Sequence, residues 1–139
     1  MAVLLALLEE QPTKFVIRGS LIEGLPTNNI RRTGKSDQYN HHESNVNPAS
    51  HRWCLIDIDD LDLPERFKDI VGQQEEIIRY TVSKLTEEFQ GVDCYYQFSS
   101  SMGITRGKIK VHLWYWLGRK ASDAEMKAWL SGADTPVDL

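Results

Sequence analysis

Two aspartates, two positions apart at the end of the apolar run WCLIDIDD (residues 53–60), have the types and spacing for metal chemistry. In a strand, successive side chains alternate faces, so Asp57 and Asp59 project to one side while Ile56 and Ile58 point to the other. Carboxylate oxygens suit hard divalent cations, and two of them side by side can hold magnesium or manganese against a triphosphate. Surface strands also end in acidic residues, so the pair alone is weak evidence. Its depth within an apolar run strengthens it, because buried carboxylates are rare unless paired or metal-bound.

A second set lies in KIKVHLWYWL, residues 108–117. Alternation places Lys110, His112, Trp114 and Trp116 on one face and Ile109, Val111, Leu113, Tyr115 and Leu117 on the other. A single histidine in a strand is more often a packing residue than a functional one. Here it follows the turn SSSMGITRG (residues 99–107), where Ser101, Arg106 and Lys108 bring hydroxyls, backbone amides and cations together. Such groups gather around phosphate.

The elements that must position these residues can be read from periodicity. Residues 2–10 predict a short helix and Lys14–Ile17 a short strand. Residues 23–50 are polar and rich in Asn, Ser, Gly and Pro, predicting a long loop. Arg31, Arg32 and Lys35 make it the most basic local patch, suited to a nucleic-acid backbone. After the strand at 53–60, apolar positions at Phe67, Val71, Ile78, Val82, Leu85 and Phe89 predict one amphipathic helix over 64–90, with Pro64 in its first turn. Cys94–Ser99 and residues 108–117 predict an antiparallel hairpin. Ser122 with Glu125 three residues on is a capping box, and it opens a second helix that ends near Gly132. Strand, helix, hairpin and helix make most of a βαββα unit, an α+β fold with helices on one face of a small mixed or antiparallel sheet. The final PVDL reads as the start of a further strand, so the sequence is expected to be part of something longer.

At 139 residues the chain predicts a single domain over 1–139. A formal net charge of -4 argues against a general basic surface for coating nucleic acid. Cys54 and Cys94 lack CxxC spacing and read as reduced thiols inside strands. The opening MAVLLALLEE has no basic leader and turns acidic at once, so it fits a helix better than a signal peptide, and a cytoplasmic protein without membrane contact is expected. His41 and His42 read as solvated.

The spaced pattern LIDIDD, QFSSSMG, KVHLWYWLGRKAS and PVDL resembles the archaeo-eukaryotic primase superfamily, especially the primase-polymerases of phages, plasmids and integrated elements. FVIRG and IRRT are a weaker match upstream. The resemblance implies an RRM-like palm with Asp57, Asp59 and Asp138 as ligands of Mg2+ or Mn2+. It implies His112, aided by Lys110, Arg106 and Ser101, as the group that meets the triphosphate. Lys110 stands where the family carries a small residue. The implied activity is DNA primase or polymerase-type nucleotidyl transfer, in which a 3′-hydroxyl attacks the α-phosphorus of a nucleoside triphosphate. The implied template is single-stranded DNA, with Arg31 and Arg32 at its backbone, and a replicative helicase domain or protein is the implied partner.

Two rival readings use the same residues. One is a non-catalytic α+β replication module whose hairpin aromatics stack on bases, binding nucleic acid without metal. The other is a nicking domain with His112 as metal ligand and Tyr115 as nucleophile, which is disfavoured because Tyr115 lies on the opposite strand face.

Overall fold

The structure, a computed structural model, describes residues 2–11, 13–14, 16–25, 30 and 44–131. Arg31, Arg32 and Asp138 lie outside the described residues, as do Lys35, His41, His42 and the expected helix end at Gly132. The chain divides into two compact units, Met1–His51 and Arg52–Leu139.

In the first unit, α1 spans Ala2–Glu9, as the run of Ala and Leu predicts. Of the strand expected at Lys14–Ile17, the described residues Lys14, Val16 and Ile17 are not in a strand. Instead β1 (Ser20–Leu21) pairs antiparallel with β2 (Val46–Asn47), and β2 lies inside the stretch expected to be loop. Gly19 permits this approach. Its φ is +153°, and a Cβ at that position would overlap the Val46 side chain and come within 2.8 Å of the Asn47 carbonyl oxygen. Two residues per strand carry too short a pattern for periodicity to register.

In the second unit the order is β3 (His51–Asp62, beginning at the boundary residue), α2 (Gln74–Val82), a 3-10 turn (Glu87–Phe89), β4 (Tyr95–Phe98), β5 (Lys108–Ala121) and α3 (Asp123–Ser131). The sheet runs β3-β5-β4, so the longest strand is central. β4 and β5 form the expected antiparallel hairpin, with Tyr95 opposite Trp114, Gln97 opposite His112 and Phe98 opposite Val111. On the other side of β5, Leu63 donates its backbone N–H to Gly107 at one end, and Arg52 donates to the Gly118 carbonyl at the other, so β3 also runs antiparallel to β5. The fold is therefore α+β with antiparallel sheets.

The core gathers on one face. Cys54, Ile56 and Ile58 from β3 join Ile109, Val111, Leu113 and Tyr115 from β5, all buried, against Ile77 and Ile78 of α2 and Met126 and Leu130 of α3. Both helices thus cover the same side of the sheet. The apolar alternation slips by one residue after Ile58: Leu61 packs on the core while Asp60 and Asp62 meet Lys108.

The helix expected over 64–90 is only nine residues long, and Pro64 lies outside it. Residues on its N-terminal side form turns closed by their own side chains. Asp69 Oδ1 accepts from Gly72 N at 2.9 Å, and Gln73 Oε1 accepts from the N–H groups of Lys68 and Asp69, both at 3.0 Å. Phe67, Leu85 and Phe89 still reach the core, from turns rather than from helix, and Val71 is exposed. Periodic burial had three different backbones behind it. Thr81, fully buried within α2, is satisfied by donating to the Ile77 carbonyl at 2.8 Å.

The capping box of α3 is formed as read. Ser122 Oγ accepts from Glu125 N at 3.2 Å, while Glu125 Oε2 accepts from Ser122 N at 2.8 Å. The Ser122 N–H and hydroxyl, both donating to the Glu125 carboxylate, and the Arg119 guanidinium beside it lower the Glu125 pKa to about 2. A carboxyl whose folded pKa lies below its unfolded value near 4.5 contributes stability above that value, and the contribution is lost as pH falls toward about 2. Thermal melts of wild type and Glu125→Gln, followed by circular dichroism, are expected to differ at pH 6 and to converge progressively below about pH 4.5. A difference that grows on acidification would contradict the cap.

Candidate functional site

β3 and β5 alternate in phase, so the residues not used in the core emerge together on the opposite sheet face. The pairing arranges them in cross-strand rows. Asp57 Oδ1 lies 3.3 Å from His112 Nε2, an ion pair when the imidazole is protonated. Asp59 Oδ1 lies 3.5 Å from Lys110 Nζ. Each row continues onto β4, since Gln97 is opposite His112 and Ser99 donates its backbone N–H to the Lys110 carbonyl at 3.0 Å. The Asp57 and His112 side chains are both about one-third exposed, at 38% and 33%. The Asp57 oxygen facing the imidazole is itself withdrawn from solvent.

Four of the residues singled out in the sequence thus come together: Asp57, Asp59, Lys110 and His112. The turn residues contribute less. Ser101 shares a 3.0 Å hydroxyl contact with Ser99, at the end of the Lys110 row, while its carbonyl accepts from Ile104 N at 3.1 Å and closes the turn. Arg106 is exposed in that turn. Gly107, with φ +72°, turns the chain into β5 and lets its carbonyl accept from Leu63 N at 2.8 Å.

Lys108 carries more of the local electrostatics than the sequence indicated. Its ammonium lies 2.9 Å from Asp60 and 2.8 Å from Asp62. Hydrogen bonds to Asp62 and then Asp60 hold its pKa above the ordinary lysine value, and the same contact holds Asp60 below the ordinary carboxylate value. The slip after Ile58 brings Asp60 and Asp62 to this lysine. A strict period-two reading sends them to opposite sides from Asp59.

The far end of the same face is aromatic. Trp53 and Trp114 lie with ring centroids 5.6 Å apart, tilted by 41°. Tyr95 is opposite Trp114 on β4, and Trp116 is 62% exposed. Trp53 shares the parity of Asp57, so its place on this face was legible in WCLIDIDD, although its partner depended on strand register. Tyr115, by contrast, is buried in the core with Phe89 at 4.9 Å in an edge-to-face contact. Burial and the adjacent Cys94 push its phenol pKa far up. A phenol in that setting is no nucleophile for a nicking reaction. Neither Cys54 nor Cys94 is in a disulfide among the described residues.

The carboxylates supply hard oxygen donors of the kind magnesium and manganese take. Among the described residues, no group of three or more His, Cys, Asp or Glu side chains converges as a metal-ligand cluster. Asp57 and Asp59 are two carboxylates on one sheet face, beside His112 and Lys110 respectively. Among the described residues, no helix is long and apolar enough to cross a membrane.

Comparison with family models, with curated proteins and with solved structures finds no match for this chain.

The two faces of β3 make opposite demands on adjacent residues. Ile58→Ala is expected to cost about 2–5 kcal/mol in urea unfolding, as for other fully buried aliphatic truncations. Asp59→Asn, one residue away on the open face, is expected to change stability by less than about 1 kcal/mol, because it removes only an exposed ion pair. Equal losses for the two variants would contradict the assigned faces.

Proposed function

We propose that the Arg52–Leu139 unit is the metal-binding palm of a DNA primase or polymerase-type nucleotidyltransferase. The observation that carries this reading is the pairing of Asp57 with His112 at 3.3 Å and of Asp59 with Lys110 at 3.5 Å, on the sheet face that the helices leave open. Two carboxylates beside a histidine and a lysine match the chemistry of a nucleoside triphosphate held through divalent cations. The order β3-α2-β4-β5-α3, with β5 between its neighbours, supports it as well, because a split βαβ fold lacking its last strand has this connectivity. The sequence resemblance described above adds the expectation of primer synthesis on a single-stranded DNA template.

Each side chain has a task in this reading. Asp57 and Asp59 hold Mg2+ or Mn2+, with Asp138 as the third carboxylate. A bound cation there would lower the charge repulsion between triphosphate and carboxylates and favour the 3′-hydroxyl as nucleophile. His112 and Lys110 sit one row apart on β5 and donate hydrogen bonds to phosphate oxygens. Arg106, exposed in the turn that leads into β5, and Ser101 in the same turn would meet the outer phosphates. The rigid sheet holds the ligands in register, so electrostatic positioning supplies most of the acceleration.

A second reading is favoured by the aromatic end of the face. The Trp53–Trp114 pair and exposed Trp116 suit a module that binds nucleic acid without chemistry. Calorimetry with a nucleoside triphosphate and manganese separates the two. Wild type is expected to bind in manganese and not in chelator. Asp57→Ala/Asp59→Ala and His112→Ala are each expected to weaken binding at least tenfold, which is about 1.4 kcal/mol. Binding indifferent to chelator and to all three residues would overturn the nucleotidyltransferase reading.

A further inference from the structure

Among the described residues the larger sheet has two edges, and they are built differently. β3 lines one edge with Arg52, Asp57, Asp59, Asp60 and Asp62, charges that discourage another strand from pairing there. β4 forms the other edge, and its sequence YYQF has neither charge nor proline. From Cys94 to Thr105 the chain carries no charged residue at all. Tyrosine and phenylalanine favour extended backbone, so this edge has none of the side chains that normally blunt one.

The direction of the backbone groups follows from the hairpin. Ser99 donates its N–H to the Lys110 carbonyl at 3.0 Å, so the N–H and C=O of Gln97 and Tyr95, two and four residues earlier, also point at β5. Those of Tyr96 and Phe98 therefore point outward, and among the described residues no strand meets them. The two residues stand symmetrically about Gln97. A two-fold axis beside Gln97 sets Tyr96 opposite the partner's Phe98, and Phe98 opposite the partner's Tyr96. Each of these pairs exchanges two N–H···O bonds, which satisfies every outward group of both strands. We propose that the protein forms a two-fold dimer in which β4 pairs antiparallel with β4 of a second copy, Gln97 opposite Gln97, so that the sheet continues as β3-β5-β4-β4-β5-β3. An isologous contact of this kind is the commonest way for identical chains to close an assembly.

The side chains fit this register on both faces. On the helix-covered side, Tyr96 and Phe98 are partly buried and touch edge to face at 5.8 Å. The Tyr96 hydroxyl donates to Glu75 of α2 at 3.2 Å, which holds its ring at the edge. Opposing these rings to their copies makes aromatic cross-strand pairs. A cleft of about 530 Å³ between α2 and β4, lined in part by Ile78, Val82 and the exposed Val92, adds apolar surface at the same edge. On the open face Gln97 is exposed and meets its own copy, with Cα atoms about 4.5 Å apart in a pair of this type. Asp93, four residues before Gln97, falls opposite the partner's Ser101, so like charges do not meet. The row from Asp57 through His112 to Gln97 then runs across the axis into its copy. Both carboxylate pairs lie on one surface, about 24 Å or five strand spacings apart. The dimer does not depend on the proposed chemistry, and its test needs neither nucleotide nor metal.

That test is sedimentation velocity of the full chain over about 1–300 μM, a span suited to a short interface of micromolar affinity. Wild type is expected to pass from the mass of one chain to that of two. Gln97→Lys and Gln97→Glu are each expected to weaken the dimer at least tenfold, because like charges would face each other across the axis. An equimolar mixture of the two is expected to restore it, which neither a misfolded variant nor an interface elsewhere would allow. A second readout needs no variant: in wild type, the Tyr96 and Phe98 amides are expected to exchange their hydrogens more slowly as concentration rises through the transition. Wild type that remains a single chain at the highest concentration would overturn the pairing. So would a dimer indifferent to both charged variants, a mixture no tighter than either variant alone, or Tyr96 and Phe98 amides whose exchange ignores concentration.

Discussion

The alternation of β3 and β5 is the constraint on which everything else rests. Cys54, Ile56, Ile58, Ile109, Val111, Leu113 and Tyr115 are all buried, and together they face the two helices. Burying them supplies roughly 1.5–3 kcal/mol per large side chain. Because a strand has period two, that burial leaves Asp57, Asp59, Lys110 and His112 no choice of side. A slip of one residue would drive two carboxylates and a lysine into the apolar layer, at a cost no local contact could offset. The site is in this sense a by-product of the core, held in register by the same pairing that packs it. The single place where the period does slip, after Ile58, recruits Asp60 and Asp62 to Lys108 rather than disturbing the pairs beside it.

Electrostatics then divides the face by length. The chain carries a net charge of -4, and four aspartates cluster at one end of β3. Unaided, that end repels phosphate, and its lysines are spent balancing the carboxylates. Under the proposed function, it would take a triphosphate only with divalent cations present. The other end is aromatic, with the Trp53–Trp114 pair and the exposed Trp116.

Much of this was legible in the sequence, and the failures have physical causes. β3, β5 and the α3 cap were readable because each carries a strong local signal: an apolar run with alternation, or a side chain that bonds its own helix start. Asp57, Asp59, Lys110 and His112 followed from parity, but their pairing followed from register, which only the folded sheet fixes. The long helix over 64–90 was misread because burial every three or four residues does not require a helix. Phe67 and Phe89 reach the core from a turn and a 3-10 turn, and the side chains of Asp69 and Gln73 divert the backbone hydrogen bonds that a helix would need. β1 and β2 escaped because two-residue strands leave no period to detect, and Gly19 was the only cue. Lys108, read as one of the cations gathered at the turn, spans two carboxylates.

The most direct measurement is a manganese titration of the isotopically labelled chain followed by NMR. Mn2+ broadens resonances steeply with distance, so it reports where the cation sits without requiring turnover. The account predicts that the backbone signals of residues 57–59 and 110–112 and the His112 imidazole broaden first, with Trp116 affected last among the residues of the face. Broadening centred on other carboxylates, or none at concentrations that saturate nucleotide binding, would contradict a metal site built on Asp57 and Asp59.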